Sequence, residues 1–186
     1  STGLADTRSV SSPFASITSV EVKVQLSGGW NGDLHAWLSH DTGYSVLLNC
    51  PGRTAFSDAG ASDAGMRVTF SDDAVTDAHA ATGLARLTGS LQPDARETDP
   101  LEVLDSSPRT AFLSSFQGLD PNGEWTLFLV DASGGNVSTL VSWGLTIRGT
   151  GTSPQALFNA WAAGLSGPDA QALATPFHDG INNLTK

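Results

Sequence analysis

Within "ITSVEVKVQL", residues 17 to 26, apolar residues occupy every second position from Val20 to Leu26. Val20, Val22, Val24 and Leu26 share one face, and Glu21, Lys23 and Gln25 the other. That is the period of a half-buried antiparallel strand. "GGWNGD" then reads as a turn, and "LHAWL" resumes the pattern with Leu34, Ala36 and Leu38 inward. "DTGYSVLL" is a turn followed by a strand through Leu48, and "MRVTF" is a short strand with Val68 and Phe70 on one side. Residues 71 to 110, acidic and broken by Gly and Pro, predict long loops with one or two short strands.

"WTLFLV", residues 125 to 130, is apolar on both faces, which predicts a central strand between packed layers. "LVSWGLTI", residues 140 to 147, alternates again, with Val141, Trp143, Leu145 and Ile147 on one face. The intervening "DASGGN" suits a hairpin turn. Seven or so strands and no long helix before residue 150 predict a β-sandwich or jelly roll. The period changes after "RGTGTS", a linker-like stretch. Ser153 is placed to cap a helix with Pro154 at its first position and Gly164 at its end. Leu157, Phe158 and Trp161 form the apolar face of that short helix.

A chain of 186 residues is one domain, or one domain with an appendage. Nine Lys and Arg against 19 Asp and Glu give a net charge of −10, which argues against a nucleic-acid partner and favours metal cations. No apolar run approaches the ~18 residues of a membrane span. The absence of an initiator Met and of a signal peptide suggests a piece of a longer chain. Cys50 is alone and reads as an inert, partly buried thiol.

Nucleophilic hydrolysis finds no support, because no G-x-S-x-G elbow is present. His35, His40, His79 and His178 are scattered and read as solvent-facing. No His or Cys pair has the spacing of zinc ligands. Carboxylates are better candidates. "FSDDAVTD" groups Asp72, Asp73 and Asp77 shortly after Asp58 and Asp63, which reads either as a calcium-binding loop or as a solvated acidic one. Asp120, Asn122, Glu124 and Asp131 match an EF-hand count at positions 1, 3, 5 and 12, but Trp125 stands where that loop requires Gly. Six extended residues span about 20 Å, so Asp120 and Asp131 cannot share an ion. Asp131 follows its strand and Asp33 precedes one. If the two strands are antiparallel, both acids lie at one end of the sandwich and anchor loops there, through backbone N–H groups or an ion.

"ITSVEVKVQLSGGWNGDLHAWLSHDTGYSVLL", "FSDDA" and "FQGLDPNGEWTLFLVDASGGNVSTLVSWGLTI" together resemble the P domain, or Homo B domain, of proprotein convertases. The likeness covers about residues 14 to 149. It rests on the ordered set G-D-L, F-x-D-D-A, F-x-G, N-G-x-W-T-L-x-x-x-D and L-x-S-W-x-L. It implies an all-β fold: a jelly-roll β-sandwich of about eight mostly antiparallel strands, here with a short helical tail over 150 to 186. It further implies a secreted, non-catalytic module that stabilises or modulates an adjacent protease or surface-protein domain. The parent protein would be a subtilisin-like serine endopeptidase or a surface protein, with calcium as the implied cofactor. Carried over by motif, the implied metal residues are Asp33, Asp72, Asp73 and Asp131. This chain has "SHDTGY" where many members have S-P-x-G-T, and no catalytic domain from which a triad could be transferred. The tail resembles C-terminal segments of bacterial secreted proteins that end in an Asp-rich calcium loop, but keeps only Asp179, Asn182 and Asn183 as oxygen ligands. The alternative reading is a carbohydrate- or protein-binding jelly roll of a cell-surface protein, using Trp30 and an outward-facing Trp37, for which a core role is the other reading.

Overall fold

The computed structural model describes residues 3–57, 59–83 and 86–163. Eight strands form two four-stranded sheets. One has the order β1 (Leu4–Val10), β7 (Gly123–Asp131), β3 (Leu34–His40), β4 (Gly43–Asn49). The other has the order β6 (Leu87–Leu91), β5 (Ala64–Phe70), β2 (Ser16–Trp30), β8 (Ser138–Thr150). All pairings are antiparallel except β5 with β6, which run parallel. The expected all-β sandwich is present, and its strand β1 lies ahead of the expected span of 14 to 149.

Alternation places the core as expected in β2, β3 and β5. Val22, Leu38, Met66 and Phe70 are all fully buried, as are Trp125 and Phe116 from later in the chain. Three expectations fail for reasons of tertiary contact. First, β7 is central within its sheet but buries one face only: Trp125, Leu127 and Leu129. Its other face puts Phe128 on Trp37, rings stacked 3.9 Å apart on the outside of the sheet. An outer aromatic pair, not a second packed layer, accounts for the apolar run. Second, "DASGGN" does not close a hairpin. β7 pairs with β1 and β3 and β8 with β2, so the chain crosses between sheets there. Third, the β2–β8 register slips by one residue between Gln25–Ser142 and Leu26–Leu140. This bulge turns Leu140 toward the core and leaves Val141 52% exposed.

The acidic region 92–112 covers the free edge of β4. Ala95 N–H donates to Val46 O (2.8 Å), Asp94 N–H to Leu47 O (3.1 Å), and Val46 N–H to Ala111 O (3.0 Å). A sheet edge that would otherwise offer unpaired groups is thereby closed. On the opposite side Trp143 bridges the sheets: its indole N–H donates to Asp6 (3.0 Å), and the Arg8 guanidinium lies 4.6 Å above its ring.

Strand β8 continues through Thr150, paired with Ser16, so "RGT" is strand and not linker. Helix α1 (Pro154–Ala162) follows as the cap predicts, with Ser153 Oγ accepting from Ala156 N–H at 3.2 Å. Ser153 is buried, and its N–H donates to Pro13 O, but the helix itself buries no side chain. The expected helix end at Gly164 and the calcium-loop-like tail with Asp179, Asn182 and Asn183 lie outside the described residues.

Candidate functional site

The register of β3 against β7 opposes Leu34 to Asp131, which sets Asp33 beside Asp131. Ala132 N–H closes the corner on Asp33 O at 2.7 Å. Asp33 ends a 3-10 turn, Asn31–Asp33, that packs on the 59–65 segment. Asn31 N–H donates to Asp63 O and Gly32 N–H to Ala61 O, and a Cβ at Gly32 would overlap the Ala59–Ala61 backbone. The two acids thus meet at one end of the sandwich, as their positions before and after antiparallel strands require.

The loop 132–137 separates two recesses at this end. One, of about 370 Å³, is lined by Trp30, Asp33, Cys50, Arg53 and Asn136 among others. The smaller, of about 240 Å³, lies between Asp131, Ser138 and the same loop. Burial and then the neighbouring Asp131 charge push the Asp33 carboxyl above the usual carboxylate range, with Arg53 opposing. Asp131 Oδ1 accepts from Ser133 N–H (3.3 Å), while its Oδ2 is buried with no partner among the described residues. Ser138 Oγ, on the wall of the same recess, is likewise buried and unpartnered among those residues. Asp131 and Ser138 line the smaller recess and Asp33 the larger, so the two acids stand side by side at this end without lining one cavity.

Asp72 and Asp73 do not join this pair. β5 runs antiparallel to β2 from Ala64, opposite Trp30, to Phe70, opposite Val22, and so carries them to the other end of the sandwich. There Asp72 commits both oxygens to backbone: Oδ1 accepts from Leu113 N–H (3.0 Å) and Oδ2 from Ser114 N–H (2.7 Å). It caps the turn Leu113–Phe116 from a distant loop. Asp73 sits in the adjoining turn, its N–H donating to Ser71 Oγ at 3.3 Å. Among the described residues no three His, Cys, Asp or Glu side chains gather in a metal-binding group.

The histidines are a correction. His35, His40 and His79 are buried, not solvent-facing; His178 lies outside the described residues. His35 does alternate outward on β3, but its Nδ1 pairs with Asn49 Oδ1 at 3.0 Å, beneath the 96–98 backbone that Asn49 also holds. Burial lowers its pKa. His40 stacks on Trp125 at 4.1 Å with both ring nitrogens on backbone carbonyls, Glu124 O and Asp120 O. His79 donates from Nε2 to Arg53 O (2.8 Å) and from Nδ1 to Asp94 Oδ2 (2.8 Å). Arg96 binds the other Asp94 oxygen (3.0 Å) and Asp77 (2.9 Å). Among the described residues none of the three histidines hydrogen-bonds a Ser or Cys side chain. Cys50 is 3% exposed, and burial pushes its thiol pKa up, the opposite of nucleophile activation. The His79–Asp94–Arg96–Asp77 network was missed in the sequence. Its one local sign is "TDAH", where Asp77 caps the turn by accepting from His79 N–H.

Of the two tryptophans weighed for ligand binding, Trp30 is 40% exposed at the rim of the larger recess. Trp37 is half-buried in contact with Phe128, His35 and Tyr44.

No protein-family model and no curated protein matches the chain. Among solved structures it is similar to the serine protease of Aeromonas sobria, with 14% identity and a TM-score of 0.40, over 78% of this chain and 23% of that one. The same figures for that protease in complex with the chaperone are 14%, 0.38, 77% and 22%. The chain therefore spans less than a quarter of either, and a likeness at this level carries no inference about activity.

Proposed function

We propose that this chain is a non-catalytic, P-domain-like accessory module of a secreted protein, adjoining a serine protease or surface-protein domain, and that it takes calcium at the Asp33–Asp131 end. The observation that supports this most is the buried, unpartnered Asp131 Oδ2 beside a carboxyl whose pKa is raised by burial and by Asp131 itself. A bound cation relieves both at once. Asp33 and Asp131 would supply the charge, and oxygens of the 132–137 loop the remaining contacts. Two carboxylates are few for a calcium site, which suits the weak class typical of extracellular modules, with Kd about 10⁻⁴–10⁻³ M. The ion's role would be to hold the 132–137 loop against the 31–33 turn, which is architecture and not catalysis. Among the described residues no helix is long and apolar enough to cross a membrane.

Thermal melts of EDTA-treated protein test the reading. Calcium at a hundredfold excess over Kd should add about 2.7 kcal/mol. Asp131→Asn, which removes the like-charge repulsion, should abolish that response without lowering the calcium-free melting temperature. A melting curve unmoved by 10 mM-range calcium on the wild-type chain would remove the ion from the proposal. Turnover of casein or ester substrates that a single Ser or His substitution here abolishes would remove the accessory role. The second reading, a glycan- or protein-binding surface module, draws on the exposure of Trp30 at the recess. There, Trp30→Ala should lose ligand while leaving the calcium response intact.

A further inference from the structure

The outer face of the sheet β6-β5-β2-β8 departs from the charge of the rest of the chain. Its four strands carry Lys23, Arg67 and Arg148 against a single acid, Glu21, in a protein of net charge −10. The alternation that buries Val22, Val24 and Val68 turns Lys23 and Arg67 outward. Strand pairing sets the outward residues into two rungs. One runs Ser90–Thr69–Lys23–Gly144 and the next Thr88–Arg67–Gln25–Ser142. Each rung crosses four strands, about 14 Å, and the two lie about 7 Å apart, so Lys23 and Arg67 are diagonal neighbours.

These rungs line a shallow groove of about 620 Å³. Its floor recedes at Gly144, where an added Cβ would meet open space. Lys23, Arg67 and Arg148 are exposed and have no ion pair or hydrogen bond among the described residues. Arg8, Arg53, Arg96 and Arg109, by contrast, are each held by acceptors of the protein itself. Apart from Val141 at the β8 bulge, no large aliphatic or aromatic side chain among the described residues stands out of the face. A protein partner ordinarily buries an apolar centre, which this face does not provide. A neutral sugar would need an aromatic platform, which is also missing. Hydroxyls, an amide and unpaired cations match a ligand that is itself rich in hydroxyls and carries regular anions.

We propose that this face binds a polyanionic polysaccharide, its carboxylate or sulfate groups at Lys23 and Arg67 and its hydroxyls at Thr69, Thr88, Gln25 and Ser142. The inference is independent of the calcium site at the end of the sandwich.

Affinity electrophoresis of the full chain through gels holding alginate (carboxylate), heparin (sulfate), dextran (neutral) or polyglutamate (a protein polyanion) tests it. Retardation is expected with alginate, heparin or both, and none with dextran. It should vanish in 1 M NaCl, where the screening length falls to about 3 Å. The variant Lys23→Gln/Arg67→Gln should bind at least tenfold more weakly. Phe56→Glu/Val75→Glu changes net charge by the same two units at fully exposed loop side chains, and should bind like wild type. All four positions are exposed, and equal melting temperatures will confirm that the fold is kept. Equal weakening in both variants, no retardation by either anionic polysaccharide, or tighter binding to polyglutamate would each overturn the proposal.

Discussion

Asp94 is fully buried although it lies in a loop, and it accepts from three donors: His79 Nδ1 (2.8 Å), Arg96 Nη1 (3.0 Å) and Asn49 N–H (3.1 Å). Asp94→Ala removes the acceptor of all three donors, leaving the buried His79 imidazole without a carboxylate and Arg96 with Asp77 alone. Breaking a buried pair by deleting one partner costs about 3–5 kcal/mol. For a domain of this size that is a fall in Tm of roughly 6–20 °C. The pH dependence should also change sign. Burial alone would lower the His79 pKa, but the hydrogen bond and charge of Asp94 outweigh it and hold the pKa above its ordinary value. In the wild type the His79 contribution is therefore fully present below about pH 6.5 and is lost as pH rises through the raised folded-state pKa. In Asp94→Ala, burial, the largest single influence, and the Arg96 charge are opposed only by the hydrogen bond to Arg53 O, so His79 should be held neutral, and its contribution should be lost as pH falls. Urea unfolding midpoints from pH 5 to 9 report both effects. A loss below about 1 kcal/mol, or wild-type and variant curves of parallel slope, would refute the account, since an exposed or weakly coupled pair behaves in that way.

Two further outcomes follow from the packing. Val141 stands out at a bulge and Trp143 bridges the sheets, so Val141→Ser should move stability by no more than about 0.5 kcal/mol and Trp143→Ala by about 3–5 kcal/mol in denaturant titrations. Equal costs would mean that the bulge register is wrong. Truncation after Gly151 removes a helix that buries no side chain and is tied through Ser153, so a cooperatively folding sandwich should remain, weaker by about 1–3 kcal/mol. An insoluble product would make the tail integral to the fold.

Alternation in "VEVKVQL" and "MRVTF" specified strand type and buried face without any knowledge of partners, because the period of two is a property of the extended backbone itself. The Ser153–Pro154 cap was readable for the same reason: donor and acceptor lie three residues apart. Even the meeting of Asp33 and Asp131 could be anticipated, given only that their strands run antiparallel. What the sequence left undecided depends on partners far away along the chain. The slip at Val141 exists only in register with Gln25 and Leu26. Asp72 became a cap because Leu113 and Ser114 N–H groups arrive there from 41 and 42 residues away. His35 reads as exposed because it alternates outward on its strand, and His40 and His79 because each stands near polar or acidic neighbours, Ser39 and Asp41 for one and Asp77 for the other. Docking of the 92–112 segment on β4, and of the 120–124 turn on His40, buries them by long-range hydrogen bonds whose donors and acceptors are mostly backbone. Backbone groups are the same at every residue, so the side-chain pattern holds no trace of which of them will meet.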